Sequence, residues 1–129
     1  MKRLACILFV LAFLVCGLGT ARASNILYFV DCLSGTDAMA LALAGSGHSV
    51  TTVGSSADFA TQIGGGGYDL GVFMVQGSSS SNYGDGITAL GSFVASGGRA
   101  IYTDWSIDNT YAALFDAAWS EPGWDYENY

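Results

Sequence analysis

Four short runs of aromatic and β-branched residues punctuate this chain of 129 residues, and what lies between them settles its class. Asn25-Ile-Leu-Tyr-Phe-Val30 is apolar without interruption, which suits a strand covered on both faces. Residues 48–53 alternate as a second strand. Residues 68–76, with Leu70, Val72, Phe73, Met74 and Val75, form the most strand-like run and the expected centre of a sheet. Ala100-Ile-Tyr-Thr103 is the fourth. Between them, Thr36 and Asp37 open a small-residue helix over 38–44 that Gly45 and Gly47 end. Ser55 or Ser56 caps a short helix through Ile63, and Gly64 to Gly67 make a loop without side chains to order it. Gly77 to Gly86 has the composition of a flexible loop, and residues 87–96 place Ile87, Leu90, Phe93 and Val94 on one helical face before Gly97-Gly98. A last helix is expected over 109–119. A β-α unit repeated four times predicts a parallel sheet with helices on both faces, because crossovers are right-handed. The expected architecture is an open three-layer α/β/α sheet of about four strands.

The first 23 residues read separately. Lys2 and Arg3 precede an uncharged, mostly large apolar run from Leu4 to Cys16, and Ala21-Arg22-Ala23 has the small-residue pattern of a cleavage site. A signal peptide over 1–23 and export to the periplasm or beyond are therefore expected. The apolar run is shorter than the roughly 18 residues of a spanning helix; its extension through Ala21 makes a retained anchor the alternative, and lipidation at Cys16 a lesser one. The division that follows is a domain over 24–119 and an acidic aromatic tail over 120–129. Cleavage leaves Arg99 alone against eleven Asp and Glu residues. A chain with one cation does not bind nucleic acid or an anionic membrane surface, both of which require clustered Lys and Arg. Of the three cysteines only Cys32 lies beyond the leader, so no internal disulfide is expected and stability must come from the core.

Tyr68-Asp-Leu-Gly-Val-Phe73, a long polar loop, and Ala89-Leu-Gly-Ser-Phe-Val-Ala-Ser-Gly-Gly-Arg-Ala-Ile101 resemble the strand, helix and Gly-Gly turn of class I glutamine amidotransferase-like domains, including their trehalose-utilisation-type, flavodoxin-like members. The likeness spans residues 25–115 and rests on packing motifs. It implies a flavodoxin-like fold. It also implies where catalysis would sit, since catalytic members carry a cysteine on a glycine-flanked turn after the strand that here is residues 100–103, with a histidine later in the chain. Thr103-Asp104-Trp105-Ser106-Ile107 stands there instead, and no histidine follows.

The remaining nucleophiles fare no better. His48, the single histidine, begins the second strand, whereas functional loops of a parallel sheet lie at the strands' carboxyl ends, about 17–20 Å away. Cys32 stands at the correct edge, but beside Asp31 and without a basic neighbour to activate it, so a small semi-buried thiol is expected. Gly77-Ser-Ser-Ser-Ser lacks the second glycine of a nucleophile elbow. Ser34-Gly35-Thr36 precedes a helix N-terminus as a phosphate loop does, yet Asp31, Asp37 and Asp104 repel a phosphate, so neither flavin nor nucleotide is assigned, nor any other cofactor. Asp31 and Asp104 each follow a strand and invite a shared divalent cation, but two ligands are fewer than hard cations take, and no metal is assigned.

What the carboxyl edge collects is acid, amide, hydroxyl and one indole. The expected ligand-binding residues are Asp31, Ser34, Gln76, Ser78, Asp104, Trp105 and Ser106. Beyond the last helix, Trp119, Trp124, Tyr126 and Tyr129 lie among three acids, a composition that suits a sugar, a protein partner, or the cover of an exposed sheet edge. The expected function is binding or assembly without catalysis, toward a small molecule, glycan or protein. The alternative is a degenerate amidotransferase-like or hydrolase-like enzyme using Cys32 or Ser106.

Overall fold

The computed structural model describes residues 23–33, 35–104 and 109–117. Its strands are β1 (Asn25–Val30), β2 (Ser49–Val53), β3 (Leu70–Val75) and β4 (Arg99–Asp104). All pair in parallel, in the order β2-β1-β3-β4. Helices α1 (Ala38–Ala44), α2 (Ser56–Gly65) and α3 (Gly84–Ala95) alternate with them. After β4 comes α4 (Asn109–Ala112), which tightens into a 3₁₀ turn over Ala113–Phe115.

Strand order dictates the layers. The step from β1 to β2 runs one way along the sheet, and the step from β2 to β3 passes back over β1 in the other direction. Right-handed crossovers therefore put α1 on one face and α2 and α3 on the opposite face. The core divides accordingly. On one side Leu27, Phe29, Val53, Phe73 and Val75 meet Phe59 and Ile63 of α2 and Ile87 and Leu90 of α3. On the other, Ile26, Tyr28 and Val72 meet Leu43 and, at the margin, Met39 and Ala40 of α1. The result is the expected three-layer α/β/α sandwich of flavodoxin-like form. The centre of the sheet is shared by β1 and β3 rather than belonging to β3 alone.

Two glycines mark where the layers touch most closely. A Cβ on Gly71 of β3 would lie 2.5 Å from Leu90 Cδ1, and one on Gly86 of α3 would lie 2.5 Å from both Phe73 Cε2 and Ser56 Oγ. A side chain at Gly86 would have to displace Phe73 and Ser56, and one at Gly71 the tip of Leu90. Phe73 is also the hub of an aromatic cluster, its ring 4.5 Å from Phe29 and 4.9 Å from Phe59 in centroid separation.

Several local expectations need correction. Asp37 rather than Thr36 caps α1, accepting from Ala40 N at 2.8 Å. Ser55 caps α2, accepting from Asp58 N at 3.0 Å while donating to the Asp58 carboxylate at 2.7 Å. That helix continues two residues past Ile63 and stops at Gly66, whose φ of 81° only glycine adopts readily. The supposed flexible loop after Gly77 is ordered in part as a 3₁₀ turn over Ser80–Tyr83, and α3 starts at Gly84, ahead of Ile87. The last helix is much shorter than the span 109–119. Asp116 adopts the left-handed conformation, φ 55°, with its N–H on Ala113 O and that of Ala117 on Ala112 O, both 3.2 Å. This paired pattern is a Schellman-type stop, with aspartate in the place glycine usually takes.

Candidate functional site

The carboxyl ends of the strands bring together the turns after β1, β2 and β3 and the end of β4, the edge at which open parallel sheets bind ligands. Asp31, directly after β1, is half-buried and already committed. Its Oδ1 accepts from Gln76 N at 2.7 Å, and its carboxylate shares the N–H of Gly77 at 3.1 and 3.3 Å. It ties the turn after β3 to the end of β1. Gly77 packs on Cys32 so tightly that a Cβ there would lie 2.5 Å from the cysteine Cβ. The Cys32 thiol itself is exposed, not semi-buried as the sequence suggested.

Asp104 ends β4 on the far side of β3, where it pairs in register with Val75. Its carboxylate accepts from the Tyr102 hydroxyl at 2.8 Å. Burial raises the Tyr102 phenol above its ordinary value, the Asp104 carboxylate and Tyr111 add to the rise, and Ser80 acts against it. Gln76 is exposed and Ser78 half-buried, with Ser78 Oγ accepting from Asn82 Nδ2 at 2.6 Å. Asp31, Gln76, Ser78 and Asp104 thus share one edge, around the end of β3. Ser34, Trp105 and Ser106 lie outside the described residues.

Two further carboxylates near this edge serve the fold. Tyr28, 1% exposed, donates to both oxygens of Asp37 at 2.9 Å. Burial and that carboxylate push its phenol up from the usual range. Ser56, at the first turn of α2, donates to the Asp85 carboxylate and accepts from Gly86 N at 3.1 Å. The Ser56 hydroxyl holds the Asp85 carboxyl below its ordinary value. None of these pairings is visible in a sequence pattern, since each partner of Ser56 stands about thirty positions away. The only hint is the coincidence of a serine and an aspartate at two helix starts.

His48 sits at the opposite end of the sheet, where its Nδ1 accepts from Ser24 N at 3.2 Å just before β1. A strand of six residues separates it from Cys32, about 20 Å at the rise of an extended chain. No proton passes between them directly. Among the described residues no group of three or more His, Cys, Asp or Glu side chains is placed to hold a metal ion. The edge offers hydrogen-bond acceptors and hydroxyls in an acidic setting, with Gln76, Ser79, Ser81 and Asn82 open to solvent.

Comparison with family models gives no match, and none is found among curated proteins or solved structures. The sheet order and its helices show a small parallel α/β domain, compatible with a flavodoxin-like fold. No helix among the described residues is long and apolar enough to cross a membrane.

Proposed function

We propose that this is an exported, non-catalytic α/β domain, a silent relative of the class I glutamine amidotransferase-like domains, whose carboxyl edge binds a neutral, hydroxyl-rich ligand such as a glycan. The observation that carries the reading is the employment of the edge's acids. Asp31 is spent on two backbone amides and Asp104 accepts a phenol, while the one imidazole stands at the other end of β1. General acid–base or nucleophilic catalysis requires a nucleophile and a base within hydrogen-bond reach. Sugar hydroxyls suit the remaining exposed amide and hydroxyl groups, and a neutral ligand escapes the repulsion that Asp31, Asp85 and Asp104 exert on anions.

The test has two arms. Thermal unfolding in the presence of a panel of neutral glycans, with Ca²⁺ and Mg²⁺ as separate additions, should raise the transition for at least one glycan; at 100 times its dissociation constant the gain is about 2.7 kcal/mol. No shift with any glycan would replace ligand binding by assembly as the role. In the second arm a serine-directed fluorophosphonate should leave the protein unlabelled, and alkylation of the exposed Cys32 should run no faster than that of an unfolded cysteine. Rapid stoichiometric labelling of Cys32 or Ser106 would overturn the non-catalytic reading.

A further inference from the structure

Beyond β4 the sheet has no neighbouring strand among the described residues. Ile101, on the α1 face of β4, is 39% exposed. On the opposite face Ala100, Tyr102, Ala112, Phe115 and Ala117 line an open apolar hollow of about 270 Å³. Its lining is almost wholly apolar, which suits a large aromatic side chain.

We propose that residues 118–129 of this same chain cover the β4 side of the sheet, with the Trp119 indole seated in the hollow. Three observations converge. The first is the exit point. The left-handed Asp116 and the Ala117 N–H on Ala112 O fix the chain at the wall of the hollow, and Trp119 follows two residues later, within about 7 Å of chain. The second is reach. Trp119 and Trp124 are five residues apart, up to about 17 Å when extended, against about 10 Å between packed layers. The chain is long enough to round the β4 edge and bring Trp124 and Tyr126 to Ile101. The third is charge. Arg99, the only Lys or Arg after residue 22, stands exposed at the start of β4, and the segment brings Glu121, Asp125 and Glu127. A second copy of the chain is the competing occupant. Its formal charge of −7 matches that of the first, so two whole chains repel each other on approach, whereas the segment brings only three acids and is held covalently near Arg99 at a high effective concentration.

In the full chain, Trp105→Phe with Trp124→Phe leaves Trp119 as the sole tryptophan. Its emission in the folded protein should be blue-shifted, several-fold less quenched by acrylamide than in urea, and unchanged by dilution. Ala100→Phe in that background should fill the hollow, shift the emission to the red and restore quenching, with far-UV circular dichroism confirming the fold. Arg99→Glu leaves the hollow untouched and should raise quenching by itself, so the proposal remains open to refutation even where Ala100→Phe does not fold. A solvent-exposed Trp119 in the folded protein would overturn the proposal. So would shielding that disappears on dilution, which would assign the hollow to a second copy.

Discussion

Replacing Asp31 separates a structural carboxylate from a ligand-binding one. In the structure its two oxygens satisfy two backbone donors of the turn after β3, Gln76 N at 2.7 Å and Gly77 N at 3.1 Å. A hydrogen bond to a charged group contributes about 1.5–3 kcal/mol, and here water reaches the exposed donors once the acceptor is gone, so the low end applies. The short Gln76 bond and the weaker, shared Gly77 bond together contribute about 2 kcal/mol. Asp31→Ala should therefore lower the melting temperature by about 8–16 °C in a domain of this size. Asp31→Asn keeps one acceptor for Gln76 and should lose about half as much. Urea unfolding followed by circular dichroism checks both, with the slope unchanged if only stability has moved. A residue held at a binding edge for a ligand alone tends to cost stability, and its removal is neutral or stabilising. An Asp31→Ala protein as stable as its parent would refute the assignment of this carboxylate to the fold.

Two pH experiments follow from the other side-chain pairings. Because the Ser56 hydroxyl holds Asp85 below the ordinary 3.8, the folded state binds its proton later than the unfolded chain does, and the pairing's contribution is complete above 3.8 and is lost as pH falls through the folded value. Urea midpoints of the parent and of Asp85→Asn, measured from about pH 5 down to pH 2, should converge at the acid end; a constant gap would contradict the pairing. Tyr28 and Tyr102 are shifted the other way, so their contribution is complete below 10.0 and declines as pH rises past it, where the unfolded chain gives up those protons first. Phenolate absorbance should show Tyr28 and Tyr102 keeping their protons past pH 10 while the protein is folded and releasing them on unfolding, and Tyr28→Phe should remove one of these two late ionisations.

The sheet was legible because its signal is local. The central strands β1 and β3 are buried on both faces and read as apolar runs, the edge strands β2 and β4 read as alternating or short β-rich runs, and all four became strands with ends shifted by two residues at most. The start of α3 was hidden because Gly84-Asp-Gly86 argues against a helix by propensity, while the structure needs Gly86 to be small beside Phe73 and Ser56. The 3₁₀ turn over Ser80–Tyr83 was hidden for the same kind of reason, since Ser79 accepts from Ser81 N at 3.4 Å and orders a stretch whose composition reads as flexible. At the edge, the order β1, β3, β4 put Asp31 and Asp104 on either side of β3, as a shared site would require. Their actual partners were not readable. Gln76 N lies 45 positions from Asp31, and backbone amides leave no mark in a sequence.

The meeting of Gly86 with Ser56 and Phe73 also limits which parts of this domain can shift against one another. With no room for even a methyl group between them, the leading ends of α2 and α3 move as one body or not at all. On the proposed binding role, adjustment would fall to segments outside that contact, among them those that follow β1 and β3, which Asp31 joins. Closure around a bound molecule would be a small motion of that joined pair against a fixed half of the rim.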